Sequence, residues 1–235
     1  MKSPLPLIVI LLTVFTLLLS TARDSAADVA IEYPEEIAAR LQARYDAMQS
    51  LTFNFFQETR GEMAGRPRQG SGRALFYKEE GTGRMRWDYS SPDRQVLVSD
   101  GRLFRMYFAE LNQMIVTPAE NLDSELTYAF FTGKGNLQND FHIRPADEEY
   151  QGEEQSPYRV IKLIPRVPQS QVQDIHLWAS EESLIRRLTI RDHFGTITVL
   201  DLSDIEADSL AQTSPEELAA IFSFSPPQGT EIINQ

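Results

Sequence analysis

Residues 84–89 read Arg-Met-Arg-Trp-Asp-Tyr, so that the apolar residues Met85, Trp87 and Tyr89 alternate with charged ones. Residues 51–55, Leu-Thr-Phe-Asn-Phe, show the same period of two. Successive side chains of a β-strand point to opposite faces, so this period predicts strands with one apolar face and one face in water. The two stretches therefore predict a sheet whose apolar side must be covered.

Further strands follow at short intervals. We predict them at residues 70–78, 94–99, 102–108, 112–116, 140–144, 158–164, 171–179, 184–191 and 196–203. Short turns such as Asp100–Gly101 and Asp192–Gly195 imply antiparallel neighbours, because parallel pairs need long crossovers. About ten strands are too many for a flat sheet. The predicted fold class is mainly β (α+β), with a curled antiparallel sheet that forms a barrel or half-barrel.

Three helices are predicted, of which the N-terminal one and the mid-sheet one must each cover an apolar face of the curled sheet. The first spans residues 34–50, where apolar residues recur at spacings of three and four. The third begins at Ser214, which is followed by Pro and two Glu, a typical helix start. The second spans residues 118–132 and carries on one face Leu122, Leu126, Ala129 and Phe130.

The composition excludes several classes of function. The 235 residues carry 22 basic and 34 acidic side chains, a net charge of −12. This charge disfavours nucleic acid or an anionic membrane surface as the main partner, because phosphate binding needs clustered Lys and Arg. The chain has no Cys, which excludes a soft-metal site, and its histidines, His142, His176 and His193, lack ligand spacing. We predict neither an enzyme nor a cofactor.

The N-terminus has the pattern of a cleavable signal peptide. Lys2 precedes an apolar run from Leu5 to Leu19, and Ser25 and Ala27 fit the small-x-small cleavage rule. Fifteen helical residues reach about 22 Å, which is short of the roughly 30 Å core of a bilayer. We predict a signal peptide at residues 1–27, a folded domain at 28–235 and export to the periplasm.

Several short motifs occur in a characteristic order. They are Gly70-x-Gly72, residues 86–92 (Arg-Trp-Asp-Tyr-Ser-Ser-Pro), Ser99-Asp100-Gly101, Leu163-x-Pro165, Asp192-x-x-Gly195 and Phe222-x-Phe224-x-Pro226-Pro227-x-Gly229. In this order, behind a signal peptide, the sequence resembles the periplasmic outer-membrane lipoprotein carrier protein (LolA) family. The resemblance covers nearly all of residues 28–235, which it identifies as a lipoprotein-carrier domain.

The resemblance implies a fold, a function and partners. The fold is an unclosed antiparallel barrel under a helical lid, and its cavity holds the acyl chains of acylated lipoproteins. The partners are an inner-membrane ABC lipoprotein exporter and an outer-membrane lipoprotein receptor; the carrier is a monomer without a cofactor. Exposing one fifteen-methylene stretch to water costs on the order of 12 kcal/mol, at about 0.8 kcal/mol per CH₂, so a soluble shuttle has to hide it.

We predict that apolar residues of the strands and the lid line this cavity. The alternative for each is ordinary core packing, since a lid-filled cavity and a core have the same sequence pattern. The candidate acyl-binding residues are Phe53, Phe55, Met85, Trp87, Tyr89, Leu122, Leu126 and Phe130.

The sequence departs from the family at one position. The family commonly has Arg-Pro just before the Trp strand, and that Arg ties the lid to the barrel. Here residues 78–84 read Lys-Glu-Glu-Gly-Thr-Gly-Arg, without that pair. The sequence does not show whether Lys78 or Arg84 takes over the role of that Arg in tying the lid to the barrel.

Two other functions remain open. One is a periplasmic carrier of the same fold for another lipid, whose cavity would have the same residue types. The other is a lipid-sensing regulatory domain, which normally needs a second domain. The outer-membrane receptor of the pathway is disfavoured because it needs a Cys for acylation.

The signal peptide gives a first prediction. Because the apolar run is short and no Cys can be acylated, we expect the protein in the osmotic-shock fluid with Asp28 as its first residue. N-terminal sequencing of that fraction is the measurement. Recovery in the membrane pellet alone, with Lys2 still present, would contradict the prediction.

Overall fold

Twelve strands form one continuous sheet in the computed structural model of the protein. The structure describes residues 33–61, 66–79, 82–122, 126–151 and 157–235, without the side chains of residues 121, 126, 127 and 151. They belong to one compact unit that spans residues 32–235, and the predicted signal peptide lies outside them. The strands are β1 (Ser50–Arg60), β2 (Arg68–Glu79), β3 (Thr82–Ser91), β4 (Gln95–Ser99), β5 (Leu103–Phe108), β6 (Gln113–Pro118), β7 (Phe141–Pro145), β8 (Arg159–Pro165), β9 (Asp174–Ala179), β10 (Ile185–Arg191), β11 (Ile197–Ala207) and β12 (Glu231–Asn234).

The strand order leaves the sheet open. It runs β12-β6-β5-β4-β3-β2-β1-β11-β10-β9-β8-β7, so β12 and β7 are its two edges. All neighbours are antiparallel except β12, which pairs with β6 in parallel. The antiparallel sheet that does not close into a barrel is confirmed. The sequence did not predict β12, whose four residues are too few for a clear alternation.

Short helices accompany the sheet. They are α1 (Pro34–Asp46), a 3₁₀ turn (Ala119–Leu122), α2 (Leu126–Phe131), α3 (Leu137–Asp140), α4 (Glu148–Gln151) and α5 (Pro215–Ile221). The prediction of one helix over residues 118–132 is wrong, because a 3₁₀ turn and α2 take its place. Pro118 still belongs to β6, and the backbone of residues 119–122 forms the 3₁₀ turn.

Helix α1 covers the concave side of the sheet at one end. The Glu36 carboxylate accepts a hydrogen bond from the Tyr33 amide, 3.3 Å away, at the helix start. The stripe that includes Ile37, Leu41 and Tyr45 is buried in the main core. The helix ends at Asp46, four residues before the predicted end at residue 50, because Ser50 already belongs to β1.

A second, smaller core lies on the convex side of the sheet. It contains side chains of β2, β4, β5 and β6 that face away from the main core, covered by α5 and the residue after it. Its buried members are Tyr77, Val96, Val98, Tyr107, Met114, Leu218 and Phe222. Because both faces of these strands are apolar, the C-terminal segment must cover the outer one.

Arg86 fastens this C-terminal segment to the Trp87 strand. Its Nη1 atom donates to the carbonyl oxygens of Ile221, at 2.8 Å, and Ser223, at 3.0 Å. Asp88 orients the guanidinium through a 2.6 Å bond to Nε. The carbonyl groups at a helix C-terminus have no partner within the helix, so the cation supplies one to α5.

These contacts predict a difference between two neighbouring arginines. Arg86→Ala should lower the free energy of unfolding by about 2–3 kcal/mol, because it removes two charge-assisted hydrogen bonds. Arg84→Ala is the matched control, since Arg84 pairs only locally with Glu79, at 2.7 Å, and should cost less than about 1 kcal/mol. Urea unfolding measures both values, and equal losses would contradict the role of Arg86.

Candidate functional site

The concave side of the sheet holds a cavity of about 510 Å³, within the usual range for ligand sites. Among the described residues, those that line it are apolar or neutral, with no charged side chain. They are Gln57, Phe76, Met85, Trp87, Tyr89, Leu97, Phe104, Met106, Thr117, Leu122, Tyr128, Ile190, Thr198 and Leu200.

This lining shows that the sheet is curled. Met106 lies on β5 and Ile190 on β10, six strands apart in the sheet order. In a flat sheet this separation would be about 29 Å, at roughly 4.8 Å per strand. Since both side chains line the same cavity, the strands must wrap around it.

The structure places the predicted site residues in three different positions. Four of them line the cavity: Met85, Trp87, Tyr89 and Leu122. Phe130 instead borders a separate space of about 30 Å³ beside α3 and β7–β10. The side chain of Leu126 lies outside the described residues. Contact with acyl chains stays a prediction for all of them.

Phe53 and Phe55 do not line the cavity but are buried in the main core beside Trp87. They are only 1% and 3% exposed, and their rings lie 5.7 Å and 4.7 Å from the Trp87 ring. Edge-to-face and tilted aromatic pairs of this kind hold each other in place. The two phenylalanines therefore fix the orientation of Trp87, which itself faces the cavity.

Other lining residues were missed by the sequence analysis. They come from strands that were predicted, at positions that alternate with outward residues: Leu97, Phe104, Met106, Ile190 and Leu200. The alternation was a usable signal, but it does not tell which strands face each other across a curled sheet.

Neutral polar groups sit in this apolar wall. The Tyr89 hydroxyl donates to Gln57 Oε1 at 2.9 Å, and burial raises the pKa of Tyr89, so the phenol stays protonated. Thr117 and Thr198 add two further hydroxyl groups. Because an unpaired charge is costly in an apolar site, this lining suits a long apolar ligand with a neutral polar group.

The segment 126–132, which we call the lid, borders the cavity through Tyr128. The Tyr128 hydroxyl donates to the Gly83 carbonyl at 3.0 Å. Phe131 packs against Phe76 with ring centroids 4.9 Å apart. At Gly83 a Cβ atom would lie 2.3 Å from Thr132 Cβ, so only glycine lets the lid lie this close to β3.

A family model described as "Outer membrane lipoprotein carrier protein LolA" matches residues 46–214. The chain belongs to the LolA family. This confirms the resemblance seen in the sequence. LolA-family proteins are lipoprotein carriers, not enzymes in general.

Individual relatives cover most of the chain. The outer-membrane lipoprotein carrier protein of Nitrosomonas europaea is 28% identical over 166 residues, which are 71% of this chain and 73% of that protein. The one from Methylococcus capsulatus is 27% identical over 194 residues, 83% and 86% of the two chains. Among solved structures, an uncharacterized conserved protein from Thermus thermophilus has 11% identity and a TM-score of 0.50, and covers 86% of this chain and 98% of its own. That likeness shows the fold alone.

The two basic residues near the missing Arg-Pro pair of the LolA family have different surroundings. The Lys78 ammonium donates to the carbonyl oxygen of Tyr45 near the end of α1. Its methylene groups pass Gly133, directly after the lid, where a Cβ would lie 3.1 Å away. Arg84 instead pairs with Glu79 in its own hairpin. Lys78 thus contacts α1 and lies beside the residue that follows the lid, and its desolvation lowers the pKa of the ammonium.

The described residues contain neither a metal-ligand cluster nor a membrane-spanning helix. No group of three or more His, Asp or Glu side chains is arranged to hold a metal ion there. Within the same ranges no helix has the length and apolarity to cross a membrane.

The close contact at Gly83 predicts how the lid can be displaced. Gly83→Ala should push the lid off β3 and increase the binding of an apolar dye, because the new methyl group overlaps Thr132. Thr132→Gly in the same chain should restore the original dye affinity by making room. Fluorescence titration measures both, and unchanged affinity in Gly83→Ala, with the fold verified by circular dichroism, would contradict a closely packed lid.

Proposed function

We propose that the protein is a periplasmic carrier that shields the acyl chains of lipoproteins and moves them from the inner to the outer membrane. The observation that carries this proposal is the 510 Å³ apolar cavity beside a lid segment. Membership in the LolA family supports it, and the relatives from Nitrosomonas and Methylococcus bear the name of outer-membrane lipoprotein carrier proteins.

The cavity supplies the chemistry that a carrier needs. Removing one CH₂ group from water is worth about 0.8 kcal/mol, so a long acyl chain is held strongly by burial alone. The neutral lining offers hydrogen bonds to an ester or amide group without the cost of a buried charge. Binding by burial needs no cofactor and is reversed when a receptor offers a more apolar site.

The volume of the cavity limits what the closed form can hold. A cavity of about 510 Å³ is large enough to take up a long acyl chain. A larger cargo requires the lid to move, which breaks the Tyr128–Gly83 hydrogen bond and also exposes the buried rings of Tyr128, Phe130 and Phe131.

The remaining parts of the proposal concern location and partners. We propose that residues 1–27 are the signal peptide and that 28–235 are the mature carrier, which acts as a monomer. It would receive cargo from an inner-membrane ABC lipoprotein exporter and deliver it to an outer-membrane lipoprotein receptor. These roles follow from the carrier function, because a cargo that needs a shuttle must be loaded and unloaded at defined sites.

The same volume supports a second candidate, a carrier of single-chain neutral lipids. The two functions differ in what accompanies the protein from the periplasm. Native mass spectrometry should find an acylated protein under the first proposal and one free lipid per chain under the second. A preparation that carries neither, and binds neither when they are added, would contradict both.

Filling the cavity should block binding without unfolding the protein. Met106→Trp adds a large side chain at the cavity wall, so we expect at least tenfold weaker binding of an acylated peptide and an unchanged or higher Tm. Leu103→Trp is the control, because Leu103 is on the same strand but is exposed and not in the lining. Isothermal titration measures the affinities, and equal affinity of Met106→Trp and the parent protein would exclude this cavity as the site.

A further inference from the structure

The inward faces of two paired strands change from apolar to polar at the same level of the sheet. On β1, the buried Phe55 is followed on the same face by Gln57 and Thr59, since side chains of a strand alternate in direction. On β11, Thr198 lies opposite Thr59, two residues before the inward Leu200. Both strands therefore present hydrogen-bonding side chains to one part of the interior.

Tyr89 of β3 reaches the same place across β2. Gly70 of β2 pairs with Gln57, and a Cβ atom there would lie 3.2 Å from the Tyr89 ring carbons Cδ1 and Cε1. Without that atom the ring lies against the strand, and its hydroxyl donates to Gln57 Oε1 at 2.9 Å. We call Gln57, Thr59, Tyr89 and Thr198 the polar cluster.

The polar cluster has more hydrogen-bond donors than it uses. The Tyr89 hydroxyl donates to Gln57, and one threonine hydroxyl donates to the other, because the Oγ1 atoms of Thr59 and Thr198 lie 3.1 Å apart. The other threonine hydrogen and the two hydrogens of Gln57 Nε2 have no acceptor among the residues that the structure describes. Donors without a partner in an apolar wall are costly, so the cluster favours a ligand that brings an acceptor.

The surroundings of the polar cluster select a neutral acceptor. In the described part of the chain, no charged side chain lines the cavity. A phosphate or carboxylate bound there would be a charge in an apolar site without a counter-charge, which is far more costly than a buried neutral group. A carbonyl oxygen accepts two hydrogen bonds and carries no net charge.

The polar cluster and the lid lie at opposite ends of the cavity wall. Tyr89 is two residues before the end of β3, whereas Gly83, which accepts from the lid residue Tyr128, is near its start. Between them Met85 and Trp87 line the cavity, and the four residues from Met85 to Tyr89 span about 13 Å. A ligand bound at the cluster by a carbonyl oxygen can therefore extend its apolar chain along this wall toward the lid.

We propose that the polar cluster binds the carbonyl oxygen of the ester or amide that joins an acyl chain to the rest of the ligand. Gln57 Nε2 and a threonine hydroxyl are the donors. This inference rests on the proposed function, since it requires that the cavity takes up acyl chains, and it adds which part of the ligand is recognised and in which direction the chain lies. It applies equally to an acylated protein and to a free acyl lipid, because both contain this carbonyl.

Two probes that differ only at this carbonyl test the proposal. Dodecanoyl glycerol contains an ester carbonyl, and dodecyl glycerol ether has a methylene group in its place. Isothermal titration of each probe into the chain that begins at Asp28, which contains the whole compact unit, gives the ratio of the ester affinity to the ether affinity. Comparing this ratio between variants removes the intrinsic difference in hydration of the two probes.

Two kinds of variant should lower the ratio. Gln57→Leu is combined with Tyr89→Phe, because it would otherwise leave the Tyr89 hydroxyl without its acceptor. Compared with Tyr89→Phe alone, the double variant should show a ratio on the order of tenfold lower. Thr198→Val tests the same site without changing the Tyr89–Gln57 pair, and should lower the ratio about threefold because Thr59 keeps a hydroxyl.

A glutamine outside the cavity is the matched control. Gln69 is exposed on β2, next to Gly70, and donates to Glu58 at 2.8 Å. Gln69→Leu therefore makes the same chemical change as Gln57→Leu and should leave the ratio unchanged. Circular dichroism and Tm verify the fold of each variant.

The possible failures are distinguishable. An unchanged ratio in both the double variant and Thr198→Val would overturn the carbonyl site and leave the cavity as an acyl-binding site. A loss in Tyr89→Phe alone as large as in the double variant would assign the carbonyl to the Tyr89 hydroxyl and contradict the role of Gln57. Binding of neither probe by the parent chain would overturn the proposed function together with this site.

Discussion

The structure depends on the apolar concave face of a sheet that does not close. A closed barrel buries such a face by itself, whereas here β7 and β12 remain separate edges and other segments must cover the interior. Helix α1 and the lid do this at one end through Tyr45, Phe131 and neighbouring side chains. They fill only part of the space that the curled strands enclose. The cavity is thus the part of the space inside the curled sheet that the side chains of α1 and the lid do not fill.

The contacts around the cavity divide into rigid and displaceable ones. The rings of Phe53 and Phe55 pack edge-to-face and tilted against the ring of Trp87, so buried core side chains support this part of the cavity wall. The lid is held by the packing of its buried aromatic side chains and by the hydrogen bond from Tyr128 to Gly83. Since interiors are close-packed and strands deform little, a larger ligand is accommodated by moving the lid and not the wall.

The sequence predicted the elements better than their arrangement. The period of two gave β3 and its neighbours correctly, because this pattern depends only on which face of each strand is wet. The pattern could not distinguish Phe53, which is buried in the main core, from Met85, which lines the cavity, because both side chains point inward. The opposing wall with Ile190 and Leu200 depends on curvature, which accumulates over many strands and has no local signature. The short parallel strand β12 was missed because its pairing with β6 is set by the long C-terminal segment.

The position of the second core in the chain has a consequence for the order of folding. Synthesis proceeds from the N-terminus, so α5 and β12 appear last, although they cover or pair with strands β2–β6 that are made earlier. Until residues 215–234 arrive, Val96, Val98 and Tyr107 lie uncovered and β6 is an open edge. A chain shortened at its C-terminus keeps that surface permanently, where aggregation and proteolysis act. The outer core therefore makes completion of the chain a condition for a soluble product.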